Sequence, residues 1–197
     1  MGQAEFDFVM IKPSHYDDDG YPIVWWRTLI PSNSLAALNG IAVDCVERQV
    51  LGPDVRINLH TIDETNTHIV PRRIVADLKR RNARAVIGLV GVQSNQYNHA
   101  LDLAREFRAA GVPVMIGGFH ISGCISMLKE LPAEIQEALD MGCSLFAGTT
   151  CWLHSSIGTR LKSTSGPSTC RCAASRASPF SAASELDGRI VRHHTIG

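Results

Sequence analysis

The chain lacks most of the features that announce a membrane, secreted or nucleic-acid-binding protein. In its 197 residues no apolar run approaches the roughly 18 residues of a membrane helix, so no membrane partner is expected. The opening MGQAEFDFVMIKP has early acidic residues and no basic region followed by a long apolar stretch. It does not read as a secretory leader, and a cytoplasmic location is expected. Net charge is zero and the basic residues are spread out, which removes the electrostatic footprint of a nucleic-acid binder. Six cysteines, Cys45, Cys124, Cys143, Cys151, Cys170 and Cys172, form no pair of C-x-x-C units. A zinc ribbon is therefore absent, and in a reducing compartment the thiols read as buried or incidental. No G-x-G-x-x-G follows the first apolar run, which argues against a nicotinamide dinucleotide site, and no G-x-S-x-G nucleophile turn occurs.

What is present, up to about residue 150, is an alternation of short β-branched runs with amphipathic stretches, the pattern of βαβ units on a parallel sheet. Five strands are predicted: DFVMIK (7–12), VRINLHTID (55–63), AVIGLVGV (85–92), VPVMIGG (112–118) and SLFAGT (144–149). Four helices are predicted between them. The first starts near Ser34, capped by Ser32 or Asn33, with Leu35, Leu38, Ile41, Ala42 and Cys45 on one face. The second runs from Ile69 to Arg81 and ends in the basic KRR, which suits a helix C-terminus. The third spans Ser94–Ala110, and the fourth, from Cys124 or Pro132 to Met141, is interrupted by Pro132 and reads as a short turn followed by the helix AEIQEALDM. Right-handed crossovers then give an α/β fold: a flavodoxin-like (Rossmann-like) doubly wound sheet of five parallel strands, order 2-1-3-4-5.

Composition changes after Thr150. Residues 1–150 hold 17 acidic and 13 basic residues; the last 47 hold two and six, with nine serines and half of the cysteines. Apolar periodicity also stops there. The expected organisation is a domain over 1–150 and an irregular or disordered tail over 151–197, and so abrupt a break is what a shifted reading frame produces.

In open α/β sheets a ligand sits beyond the carboxyl ends of the strands where strand order reverses, here between the first and third strands. The flanking loops are KPSHYDDDGYPIVWWRTLIPSN (12–33) and QSNQ (93–96), with GGFHISG (117–123) next along. So long a loop after the first strand is unusual, and with Ile23, Val24, Trp25, Trp26, Leu29 and Ile30 it is too apolar for disorder; it should pack on something. Gly117 and Gly118 either let a ligand approach closely or make a tight turn. Ser94, Asn95 and Gln96 either cap a helix or hold an amide or phosphate. His120 can be a metal ligand, a donor to a ligand or a satisfied loop histidine, and His15 poses the same choice. Asp17, Asp18 and Asp19 lack the spacing of a calcium loop and read as a solvated turn. Asp63 and Glu64 close the second strand where ribose-binding acids stand in dinucleotide folds.

Taken together, KPSHYDDDGYPIVWWRTLIPSNSLAALNGIA, IDET, GLVGVQSNQYNHALDLAREFRAAGVPVMIGGFHISG and LFAGT resemble the N-terminal cobalamin-binding domain of cobalamin-dependent radical SAM proteins, over about residues 5–149. The resemblance implies cobalamin held across the carboxyl edge, base-off, its nucleotide tail inserted between sheet and helices. It carries over Ser94 and Asn95, with Gln96 beside them, to the third-strand loop that meets the tail. Gly117, Gly118 and His120 go to the fourth-strand loop, and Gly148 to the fifth strand end; His15 is expected near the corrin. Two parts of the family pattern are missing. D-x-H-x-x-G, whose histidine ligates cobalt, is absent, and so is the C-x-x-x-C-x-x-C that holds an iron–sulfur cluster. The expectation is a truncated corrinoid-binding domain with no cluster and no catalytic core of its own, acting with a separate radical SAM domain or protein. The alternative is a flavodoxin-like hydrolase or transferase using His15, His120 and the aspartates.

Overall fold

The first strand, Ala4–Lys12 (β1), is an inner strand because Val9, Met10 and Ile11 are apolar in succession and bury side chains on both of its faces. The computed structural model describes residues 4–26, 32–147 and 151–154. After β1 come α1 (Asn33–Glu47), β2 (Val55–Asp63), α2 (Pro71–Arg81), β3 (Arg84–Leu89), a 3-10 turn (Ser94–Gln96) and α3 (Tyr97–Ala109). They are followed by β4 (Val114–Gly117), α4 (Phe119–Met127), α5 (Ala133–Asp140), β5 (Ser144–Ala147) and β6 (Cys151–His154). β1 to β5 are parallel in the order 2-1-3-4-5, the flavodoxin-like topology that the alternation predicts.

Alternation along the strands sorts the side chains onto two faces. On one, Val9, Ile11, Ile87, Leu89, Ile116 and Leu145 meet Val75, Leu78, Leu101, Phe107, Ile121 and Ile135 from α2 to α5. On the other, Met10 and Val90 meet Leu35 and Ala42 of α1 in a much smaller cluster, with Phe8 and Leu59 at its margin. At roughly 1.5–3 kcal/mol for each large apolar side chain fully buried, the face bearing α2 to α5 supplies most of the folding free energy.

The thin side explains how α1 departs from its sequence pattern. Leu35 and Ala42 are buried, but Leu38 and Ile41 of the same apolar set are 40% and 50% exposed. The helix packs on β1 and β2, and its outer edge stays exposed.

Two segments form structure that the sequence pattern does not announce. The stretch after Gly118, read as a loop, is helix α4 from Phe119 onward. Ile121 and Cys124, three apart, both reach the core, and the Ser126 hydroxyl donates to the Ser122 carbonyl, so packing outweighs a sequence rich in poor helix formers. Beyond β5, Cys151–His154 pairs antiparallel with it, from Ala147↔Cys151 to Ser144↔His154. The sheet thus continues past residue 150 and closes the open edge of β5. The rest of the expected tail, 155–197, lies outside the described residues.

Candidate functional site

At the carboxyl edge the long opening loop folds as a small antiparallel excursion. Tyr16 bridges Pro22, the Ile23 amide donates to the His15 carbonyl at 2.9 Å, and the Asp17 amide donates to the Tyr21 carbonyl at 2.8 Å. Asp17 Oδ1 accepts from the amides of Asp19 and Tyr21, and Gly20 takes φ +84°, so the aspartate run is an exposed turn closed by its first member. Pairing makes side chains alternate, and Tyr16 reaches across to α3.

The loop is anchored on a buried polar chain. Glu64, just past β2, is 1% exposed, and its Oε2 accepts from the Ser14 amide at 3.0 Å. The same oxygen lies 2.7 Å from Nε2 of His99 on α3, itself buried. The Tyr16 ring meets the His99 ring edge-on at 4.7 Å, and its hydroxyl donates to Asp102 Oδ2 at 2.6 Å. Burial, and then the Asp102 carboxylate, push the Tyr16 hydroxyl well above its ordinary pKa. Asp102 pairs in turn with Arg105, which donates to Glu137 of α5. A last tie joins the Trp25 amide to the Thr65 carbonyl at 2.7 Å. Glu64 is therefore spent on holding the loop and does not stand free as a ribose-binding acid. His99, Tyr16 and Asp102 have no signal as a group in the sequence; only the i,i+3 spacing of His99 and Asp102 on one helix face could have suggested them. The expectation that the loop's apolar residues pack holds for Ile23, half-buried, but Val24, Trp25 and Trp26 are 40%, 62% and 89% exposed, and Leu29 and Ile30 lie outside the described residues.

The second cluster joins the third and fourth strand ends. Ser94 opens the 3-10 turn after β3, and its Oγ lies 3.1 Å from Nδ1 of His120, which stands on the first turn of α4. Nε2 of His120 lies 2.9 Å from Oε1 of Glu134 on α5. Tyr97 packs its ring on the imidazole at 4.5 Å and donates its hydroxyl to the Glu134 carbonyl at 3.0 Å. Cys124 Sγ sits 3.8 Å from the same Nε2, its thiol pushed up by burial and then by Glu134, so it is not poised as a thiolate. His120 is thus clamped in place rather than free in a loop. Gln96 is buried, and its Oε1 accepts from the Gln93 amide, so that part of its side chain is engaged within the turn; Asn95 is exposed.

Gly118 is explained by a backbone neighbour. Val92 donates to the Gly117 carbonyl and accepts from the His120 amide, and a Cβ on Gly118 would fall 2.2 Å from the Val92 nitrogen. Gly117 is less crowded: a Cβ there would meet Phe146 Cβ at 3.3 Å. His15 is half-buried beside the turn, and Gly148 lies outside the described residues.

A cavity of about 260 Å³ opens elsewhere, between α2 and α3, lined by Pro71, Val75, Lys79, Glu106 and Ala110 among others. It contains none of the expected site residues. Among the described residues no group of three or more histidine, cysteine or acidic side chains is placed to hold a metal ion, and no helix is long and apolar enough to cross a membrane. Compared with protein-family models, with curated proteins and with solved structures, the chain finds no match in any of the three.

Proposed function

We propose that this domain binds a corrinoid of the cobalamin class at the carboxyl edge of its sheet. The observation that carries the reading is the shape of the thin face. From β3 to β5 its floor is built from Gly88, Met115, Gly117, Ser144 and Phe146, and α1 is the one helix packed on that side among the described residues. A Cβ at Gly88 would meet the Phe8 ring at 3.2 Å and one at Gly117 would meet Phe146 Cβ at 3.3 Å, so both glycines lie close against aromatic side chains and keep this face low. Such a strip, beside α1 and with no other helix over it among the described residues, suits an extended chain, such as the nucleotide tail of cobalamin, laid along the sheet. It opens at the switch point, beside Ser94, Asn95, Gly117 and His120.

The residues present fit the group as a contact surface. Trp25 and Trp26 offer exposed planar faces to cover a macrocycle and exclude water. Ser94 and Asn95 offer a hydroxyl and a carboxamide to its amide side chains, and His15 stands at the base of the same loop. With no D-x-H-x-x-G the protein supplies no histidine to the cobalt, and base-off binding is the form proposed. Bound cobalamin would supply methyl-transfer or organometallic radical chemistry. This chain's share is to bind and orient it, for a separate radical SAM domain or protein.

The test is gel filtration of the full chain with hydroxocobalamin. Corrinoid absorbance should travel with the protein, and Asn95→Trp, a bulky change at an exposed residue beside the switch point, should abolish it while leaving the circular dichroism spectrum unchanged. Protein that elutes free of corrinoid at ligand concentrations of about 100 μM would refute the proposal.

A further inference from the structure

We propose that Ser94, His120 and Glu134 form a nucleophilic relay that hydrolyses small acyl esters, an activity of the corrinoid-free domain that draws on Ser94 and His120, residues the corrinoid proposal also uses. The three residues come from three elements that meet at the carboxyl edge: the turn after β3, the start of α4 and the first turn of α5. Their polar atoms stand in line. Glu134 Oε1 lies 2.9 Å from Nε2, and Nδ1 on the opposite side of the ring lies 3.1 Å from Ser94 Oγ. A carboxylate only accepts, so Nε2 carries the proton and donates to Glu134. Nδ1 is then left with a lone pair, and the serine hydroxyl is the donor to it. This is the division of labour a hydroxyl nucleophile requires: a base in hydrogen-bond contact with it, and an acid that fixes the tautomer of that base.

The ring is held for the task. Its side chain is 13% exposed, with Tyr97 packed against it and Cys124 beside it, whereas Ser94 at the other end of the line is exposed. The nucleophile therefore faces solvent and the base does not. A cap or a surface hydrogen bond would not need the imidazole to be fixed from three sides.

The reaction follows from these positions. Ser94 Oγ bonds to the carbonyl carbon of the ester as its proton passes to Nδ1 of His120, and the carbonyl π pair moves onto oxygen. The exposed carboxamide of Asn95, next in the turn, is assigned as donor to that oxyanion. Collapse breaks the bond to the leaving alkoxide, which takes the proton from Nδ1. Water then adds to the acyl-serine, giving a proton to Nδ1, and the carboxylic acid departs as that proton returns to Ser94 Oγ. Water is the only co-reactant. Ser94 is exposed, so the substrate class is an ester with a short acyl chain and a good leaving group, which needs little enclosure.

The experiment treats the full chain with a fluorophosphonate probe, maps the adduct by mass spectrometry, and measures p-nitrophenyl acetate turnover alongside. The adduct should lie on Ser94 and vanish in Ser94→Ala. Its rate of formation should drop by roughly 10²-fold or more in His120→Ala and by about 10-fold in Glu134→Gln, with ester turnover falling in parallel. Asn95→Ala should slow turnover by at least about 10-fold and leave the labelled residue unchanged. Because His120→Ala removes packing as well as the base, Ser94→Cys provides a second readout. Its thiol should react with iodoacetamide faster than Cys45, and the advantage should disappear on adding Glu134→Gln. Adducts scattered over other residues, or a Ser94→Ala protein with unreduced turnover, would overturn the proposal. Neither readout uses a corrinoid, so failure here leaves the corrinoid proposal standing, and the reverse.

Discussion

Oε2 of Glu64 lies 2.7 Å from Nε2 of His99, and both side chains are buried where β2 ends and α3 begins. The same oxygen accepts the Ser14 amide, so a single atom ties the second strand, the third helix and the opening loop. Replacing Glu64 with Ala leaves a buried N–H and a buried imidazole without their acceptor, which costs about 3–5 kcal/mol by the measure of broken buried pairs. Glu64→Gln keeps a carbonyl oxygen able to stand where Oε2 stands and should cost less than half as much. Urea unfolding of the two variants checks this, and equal losses would show that the carboxylate charge matters more than the acceptor geometry.

Tyr16→Phe isolates the next link. It keeps the ring contact with His99 and deletes only the hydroxyl that donates to Asp102. Asp102 stays paired with Arg105, so the global loss should be small, about 1–2 kcal/mol for a hydrogen bond to a charged group. The local effect should be larger: amide hydrogen exchange across 14–26 should speed up several-fold while the strands keep their protection. Unchanged exchange would mean that Glu64 and the Trp25–Thr65 tie hold the loop without Tyr16.

How much of this was legible beforehand depended on the range of the interactions. Runs such as VMIK and AVIGLVGV carry strand periodicity and burial in their own composition, and the order 2-1-3-4-5 follows from crossover handedness, so the parallel sheet was readable. The role of Gly118 was not, because the atom that forbids a side chain there belongs to Val92, 26 positions earlier. Likewise Ser94 and His120 could each be flagged as polar residues at strand ends, but their line with Glu134 exists only once α4 and α5 are folded. His99 stayed hidden because a histidine on an apolar helix face gives no indication of which acid awaits it.

Cys143, just before β5, gives the fold a measurable response to alkali. It is fully buried, and desolvation raises its thiol from 9.0 to about 11. Below pH 9 both the folded and the unfolded chain hold the proton, and this contribution to stability is complete. Between about pH 9 and 11 the unfolded chain ionises first, so stability falls by about 1.4 kcal/mol per pH unit for this group. Above 11 the contribution is gone. Denaturant midpoints at pH 8, 9 and 10 should therefore decline in the parent chain, and the decline should be shallower in Cys143→Ala; parallel slopes would refute it.

Gly118 and Gly123, five residues apart, should respond in opposite directions to the same methyl group. On Gly118 a Cβ would sit 2.2 Å from the nitrogen and 2.4 Å from the oxygen of Val92, backbone atoms that are themselves bonded to Gly117 and His120 and cannot step aside. Its φ of +154° adds strain for any residue with a side chain. Gly118→Ala should therefore cost more than about 3 kcal/mol, in the range of strained or overpacked core sites. Gly123 lies inside α4 with nothing within 4 Å of a Cβ, so Ala there removes backbone entropy from the unfolded chain at no steric cost. Gly123→Ala should stabilise by roughly 0.5–1 kcal/mol. Equilibrium unfolding of both variants decides the point. A tolerated Gly118→Ala would mean that the Val92 peptide is not seated against this turn, and with it the position of His120 opposite Ser94 would have to be redrawn.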